Sequence, residues 1–182
     1  LGQQKWAHGA AGTSSFGYFG GGMNQFGSAT SSIFRIDYSN DTATASPKGP
    51  LSESRYGFGG ASAGENALPT DNGIIDNLFH TAVEPRDNVV PQGTDFGYFG
   101  GGYNNSADVS SVDRLDYSND TATAVEKGPL SDVKFDHTAT GNADFGYQGG
   151  GKDSGGNYTT SVDRIDYSND TATAAAKGPL SL

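Results

Sequence analysis

The sequence predicts an all-β protein built of repeated four-stranded antiparallel units, and three observations carry that prediction. One block of residues recurs three times. Its apolar residues alternate with period two rather than 3.6. The composition favours turns and strands over helices, with 28 Gly, 9 Tyr and 10 Phe among 182 residues and few Leu, Lys or Glu.

The landmarks of the block are plain. Phe-Gly-Tyr-Phe-Gly-Gly-Gly stands at 16–22 and at 96–102, and returns at 145–151 with Gln148 in place of the second Phe. Asp-Tyr-Ser-Asn-Asp-Thr-Ala-Thr-Ala begins at Asp37, Asp116 and Asp166. Lys-Gly-Pro-Leu-Ser begins at Lys48, Lys127 and Lys177, and the pairs Lys5-Trp6, Arg55-Tyr56 and Lys134-Phe135 follow each junction. Leu1, Leu51, Leu130 and Leu180 share one phase at spacings of 50, 79 and 50 residues. The chain thus divides into unit 1 (1–50), unit 2 (51–129) and unit 3 (130–182), one repeat domain that reads as part of a longer array or as a ring closed by both ends. Unit 2 carries an insertion at about 63–92, either a long loop or a shortened repeat, since 57–60, Ile75-Asp76 and 81–85 echo the unit's own landmarks.

Each unit reads as four strands, taken here in unit 3. The first is expected at about 134–139, after the Gly-Pro-Leu-Ser turn. The second, at 145–149, is small and apolar throughout, as a strand covered on both faces requires. The third, at 161–167, puts Val162, Arg164 and Asp166 on one side and Asp163, Ile165 and Tyr167 on the other. The fourth is expected at 171–176, joined to the third by a tight turn at Ser168-Asn169-Asp170.

These landmarks resemble the kelch repeat of β-propellers, with the Gly doublet at Gly20-Gly21, Gly100-Gly101 and Gly149-Gly150. The Asp-Tyr turn of that repeat would be Asp37-Tyr38, Asp116-Tyr117 and Asp166-Tyr167, followed by Thr42, Thr121 and Thr171. The resemblance implies four-stranded blades. The Trp that closes the kelch motif is missing, and Ala43-Thr44, Ala122-Thr123 and Ala172-Thr173 stand near its place. The wording of the unit also looks like the repeat-rich, tail-fibre-like proteins of cyanobacterial phages. Three units are few for a closed propeller. The set can be completed by the inserted segment as a fourth blade, by two chains sharing one ring, by a longer array, or by linear stacking.

The function classes narrow by exclusion. A net charge of −10 leaves no basic footprint for nucleic acid, no apolar run is long enough to insert in a membrane, and no signal peptide opens these residues. Cys is absent, which removes disulfides and thiolate metal sites. No catalytic residues are assigned: His8 and His137 recur with the repeat, His80 lies in the insertion, and no nucleophile–base spacing stands out. The Gly triplets lack the Lys-Ser/Thr and the helix of a phosphate loop. Asp37-x-Ser39-x-Asp41 and its copies space oxygens as calcium loops do, yet lack the Gly and Glu of such loops, so a hydrogen-bonded turn is expected, with no metal and no cofactor.

Asn40, Asn119, Asn169, Asn104 and Asn157 head Asn-x-Ser/Thr sequons and are candidate glycosylation acceptors. The loop after the Gly run varies most between copies, and Tyr103, Asn157 and Tyr158 there are candidate glycan-binding residues, aromatic faces for a pyranose and an amide for its hydroxyls. The expectation is a non-enzymatic structural component of an extracellular or virion fibre or appendage, at the virion surface or outside the cell. It is expected to self-assemble as a homo-oligomer or fibre and to contact host-surface glycan. The alternatives are a soluble glycan-binding propeller module and a propeller glycan-active enzyme. The acids of an enzyme should be singular, and Glu65, Asp71, Asp76, Glu84 and Asp87 of the insertion are the non-repeated ones the sequence offers.

Overall fold

The computed structural model describes residues 4–63 and 96–181. Within them the chain forms β1 (Lys5–Trp6), β2 (Gly9–Gly12), β3 (Phe16–Gly20), β4 (Met23–Asn24), β5 (Ile33–Asp37), β6 (Ser46–Lys48) and β7 (Gly59–Ser62). There follow β8 (Phe96–Gly100), β9 (Val112–Asp116), β10 (Val125–Lys127), β11 (Thr138–Gly141), β12 (Phe145–Gly149), β13 (Val162–Asp166) and β14 (Ala175–Lys177). Three antiparallel four-stranded sheets result, in the orders β2-β3-β5-β6, β7-β8-β9-β10 and β11-β12-β13-β14, and β1 pairs with β4 in a separate two-stranded ribbon. The protein is all-β, and its sheets stack face to face as propeller-like blades, the first strands β2, β7 and β11 lying next to one another.

The register follows the repeat. Tyr18, Tyr98 and Tyr147 sit opposite Arg35, Arg114 and Arg164 in the central strand pair of each sheet. Gly pairs with Ile or Leu beside them, as in Gly97↔Leu115 and Gly146↔Ile165. Small residues there make room for a neighbouring ring: a Cβ on Gly17, Gly97 or Gly146 would meet the hydroxyl of Tyr38, Tyr117 or Tyr167.

The core lies between sheets. Tyr18, Ile33, Leu51, Phe58, Phe99, Leu115 and Ala124 join the first sheet to the second. Ala63, Tyr98, Val112, Leu130, Ile165 and Ala174 join the second to the third. A polar clasp reinforces each junction. Asp120 of the second sheet's unit accepts from Tyr18 at 3.0 Å and pairs with Arg35 at 2.8 Å and Lys48 at 3.2 Å of the first. Asp170 does the same with Tyr98, Arg114 and Lys127, at 3.1, 2.8 and 3.3 Å. Tyr117 stacks on Tyr18 and Tyr167 on Tyr98, with centroids 4.8 and 4.5 Å apart. The Gly-Pro-Leu turn completes the seam by backbone bonds: Gly49 N donates to Asp120 O and Ala124 N to Pro50 O, repeated as Gly128 to Asp170 and Ala174 to Pro129.

Three expectations change in detail. The first and fourth strands of unit 3 begin later than expected, at Thr138 and Ala175. The reason for the second shift is that Ser168-Asn169-Asp170 is not a two-strand hairpin turn: 167–169 form a single 3-10 turn, and Asp166 Oδ1 accepts from Ser168 N at 3.0 Å and from its hydroxyl at 2.6 Å. The same device recurs at Asp37 and Asp116. Finally, Gly59-Gly60, an echo of the second-strand landmark, belongs to β7, the first strand of the second sheet. Because β7 and β8 are hydrogen-bonded neighbours, the insertion enters between them; its residues, His80 and the five acids included, lie outside the described ones.

Candidate functional site

The basic-aromatic pairs split their two side chains to opposite destinations. Arg55 and Lys134 turn inward and are fully buried against Asp113 and Asp163. Trp6, Tyr56 and Phe135 point the other way. Each is followed by a residue in the left-handed region, Ala7 (φ 54), Gly57 (φ 67) and Asp136 (φ 53). That conformation is costly for Ala, and the ladder it permits offsets the cost: Gly57 N donates to Ala7 O at 2.8 Å, and Asp136 N to Gly57 O at 2.7 Å. Consecutive units are thereby held in step, and their rings fall into a row.

The row is continuous. Trp6 and Tyr56 have centroids 6.1 Å apart, Tyr56 lies 5.6 Å from Tyr103 and 5.5 Å from Phe135, and Tyr103 lies 6.3 Å from Phe135. Lys152 extends it, with its ammonium 5.8 Å from the Phe135 centroid and 5.5 Å from that of Tyr158. Cross-strand bridges fix these neighbours, Tyr56 to Tyr103, Phe135 to Lys152 and Lys152 to Tyr158. Trp6 is 58% exposed and Tyr158 87% exposed at the two ends of the band.

Acids flank the third-unit end. Asp136 pairs with Lys152 at 3.6 Å across the surface. Asp153 caps its own loop, accepting from Gly155 N and Asn157 N at 2.9 Å, and those bonds hold its carboxyl below the usual carboxylate range. Asp108 is pushed the other way, first by burial and then by the charges of Asp136 and Asp153, with Lys152 opposing. Burial, together with Tyr103, Asp136 and Asp108, raises the Tyr56 phenol.

The structure therefore brings Tyr103 and Tyr158 into one band, joined through Phe135 and Lys152. Asn157 is exposed beside Tyr158, but its amide is turned onto Asp153 at 3.3 and 3.4 Å. Sequence reasoning missed Trp6, Tyr56 and Phe135 as members, although their recurrence was the signal. It also placed the non-repeated acids in the insertion alone, whereas Asp108, Asp136 and Asp153 are non-repeated too and gather here. Among the sequons, Asn40, Asn119 and Asn169 sit exposed in the 3-10 turns. Asn104 is engaged, donating to Glu53 at 2.6 Å and accepting from Ser106 N and Ala107 N.

Elsewhere the repeated histidines are packed inside the blades, and His137 also accepts from Gly59 N of the second sheet at 3.1 Å. His8 packs edge-on to Phe19 at 5.5 Å, and His137 Nε2 lies 2.9 Å from the Gln148 amide. Among the described residues no group of three or more His, Cys, Asp or Glu is placed to hold a metal ion, and no helix is long and apolar enough to cross a membrane.

No family model matches the chain, and no curated protein matches its sequence. Solved structures do. One, described as the structure of YjhT, aligns with 97% of this chain at a TM-score of 0.64 and 14% identity. The alignment spans 46% of that chain, so the protein corresponds to about half of its length. At this identity the likeness is one of fold.

Proposed function

We propose that the chain is a non-enzymatic structural repeat component of an extracellular or virion appendage whose aromatic band contacts surface glycan. The band carries the proposal: rings presented in a row by successive units, wet at both ends, with carboxylates and an ammonium beside them. Sugars are held by this mixture of apolar faces and a few polar groups. Kelch-like blades, the family resemblance in the sequence, suit the role, because a repeated scaffold spaces equivalent rings along a surface. Titration of Trp6 fluorescence with a panel of oligosaccharides tests it. Saturable quenching, weakened at least tenfold by Tyr158→Ala together with Trp6→Phe as judged on a glycan array, supports the reading; an array with no bound glycan removes it.

The acid cluster favours one second reading, a glycan-active enzyme using Asp108 as its proton donor, since burial and like charge raise its pKa as that role demands. Release of reducing sugar that Asp108→Asn abolishes would select it over simple binding.

A further inference from the structure

We infer that a second copy of this chain docks head to tail, the outer face of its first sheet seating on the outer face of the third. The inference rests on the proposed structural role and names the contact that would assemble it. The two internal junctions are built from one set of parts. A donor face supplies Tyr, Arg, Lys and the Gly-Pro-Leu turn; an acceptor face supplies Tyr, Asp and the Ala-Thr-Ala backbone. Each set is repeated once more, and those last copies lie open.

On the third sheet the donor face is unused among the described residues. Arg164 lies 4.1 Å over the Phe145 ring, as Arg35 and Arg114 lie 4.2 Å over Phe16 and Phe96, but it pairs with no carboxylate among the described residues, and its Nε is buried without a hydrogen-bond partner. Lys177 is exposed, whereas Lys48 and Lys127 are partly covered. Leu180 is 48% exposed where Leu51 and Leu130 are each 2% exposed. A Cβ on Gly49 or Gly128 would overlap the carbonyl of Ala122 or Ala172, but one on Gly178 would meet nothing within 4 Å.

On the first sheet the acceptor face is equally free. Asp41 is exposed, while its counterparts Asp120 and Asp170 are buried in their clasps. Tyr38 is 53% exposed, where Tyr117 and Tyr167 are stacked. Charge and shape complementarity are thus specified by the two junctions already made: Asp41 would meet Tyr147, Arg164 and Lys177, Tyr38 would stack on Tyr147, and the turn at 178–180 would close on the backbone of 43–45. Two copies related by a twofold axis can satisfy both faces of each and close a ring of six sheets.

Light scattering of the 182-residue chain during size exclusion tests the contact, with Asp41→Arg and Arg164→Glu as single variants and as an equimolar mixture. Wild type is expected at twice 18.8 kDa or a higher multiple, each variant at the monomer mass, and the mixture at a dimer, because each variant retains the face the other lacks. The mixing arm also reports folding, since a collapsed variant cannot complement. A wild type that stays monomeric overturns the inference, and so do single variants that assemble like wild type. Glycan quenching measured on the same samples reads the aromatic band separately, so either proposal can fail alone.

Discussion

The Arg55 guanidinium and the Asp113 carboxylate meet at 2.5 Å with neither side chain exposed. Ser52 donates to the same carboxylate from its backbone N at 3.0 Å and its hydroxyl at 2.5 Å. Arg55 also donates to the Ser111 carbonyl and hydroxyl, each at 2.8 Å. In unit 3 the pair becomes Lys134 and Asp163 at 3.8 Å, and in unit 1 Phe34 stands at the acid position with Lys5 4.9 Å over its ring.

Asp113→Ala is accordingly expected to cost about 3–5 kcal/mol, because it strands a buried guanidinium. The double variant Arg55→Met/Asp113→Leu should recover most of that loss, since a buried pair offsets little more than its own desolvation. Urea unfolding of Asp113→Ala and of the double variant checks this. Equal loss in the single and the double would show that packing, not charge, dominates the site.

The glycine of the Lys-Gly-Pro-Leu turn gives a paired prediction. Gly128→Ala forces a methyl into the Ala172 carbonyl and is expected to destabilise by about 2 kcal/mol or more. Gly178→Ala enters open space and should change monomer stability by no more than about 0.5 kcal/mol. Thermal melts of the two variants, both made in the Arg164→Glu background so that the chain is monomeric, separate them; a matching loss at Gly178 would mean that the turn's backbone needs glycine for its own sake.

Much of this architecture was legible because strand pairing is local. Period-two alternation and the Gly-rich second strand locate the central pair of each sheet, and the 50-residue spacing locates the sheets. The clasps were not legible. Asp41, Asp120 and Asp170 are identical in sequence context, yet two are buried ion-pair centres and one is solvated, and only the stacking of a neighbouring sheet makes that difference. The band was half legible for a related reason. Tyr103 and Tyr158 lie in the loop that varies most between copies, whereas Trp6, Tyr56 and Phe135 recur with the scaffold as core residues do. Repetition in a stacked array places side chains in rows, so a repeated residue can belong to a surface as readily as to the core.

Calcium should leave the thermal midpoint unchanged, and so should a chelator. The oxygens that suggested a cation loop are already engaged: Asp37 Oδ1 accepts from Ser39 N at 2.9 Å and its hydroxyl at 2.6 Å, and those bonds pull the Asp37 carboxyl below its ordinary range. The second acid of two copies, Asp120 and Asp170, is held in a clasp. A midpoint that rises in millimolar calcium and falls in chelator would require the 3-10 turns to reopen around the ion.

Mild acid should destabilise the fold through its packed histidines. Burial depresses the His137 pKa from 6.5 to about 4, against the opposing effect of Gln148. Gly59 N at 3.1 Å and Gln148 Oε1 at 2.9 Å face the same Nε2, which serves one of them at a time: the neutral ring with a lone pair there accepts from Gly59, and the charged ring gives that bond up to donate to Gln148. The unfolded chain therefore takes up a proton as pH falls through 6.5, while the folded chain resists until about 4. Stability is full above 6.5 and declines across that window by about 3 kcal/mol from this group. His8, whose pKa is also lowered by burial and by Lys5, adds to the slope in the same direction. Unit 2 supplies the control, since Phe58 and Phe99 occupy the positions of His137 and Gln148 and pack edge to face at 6.1 Å. The variant His137→Phe/Gln148→Phe should remove most of the slope between pH 6.5 and 4 in urea titrations, leaving the His8 share. An unchanged slope in that variant would place the acid sensitivity on other groups.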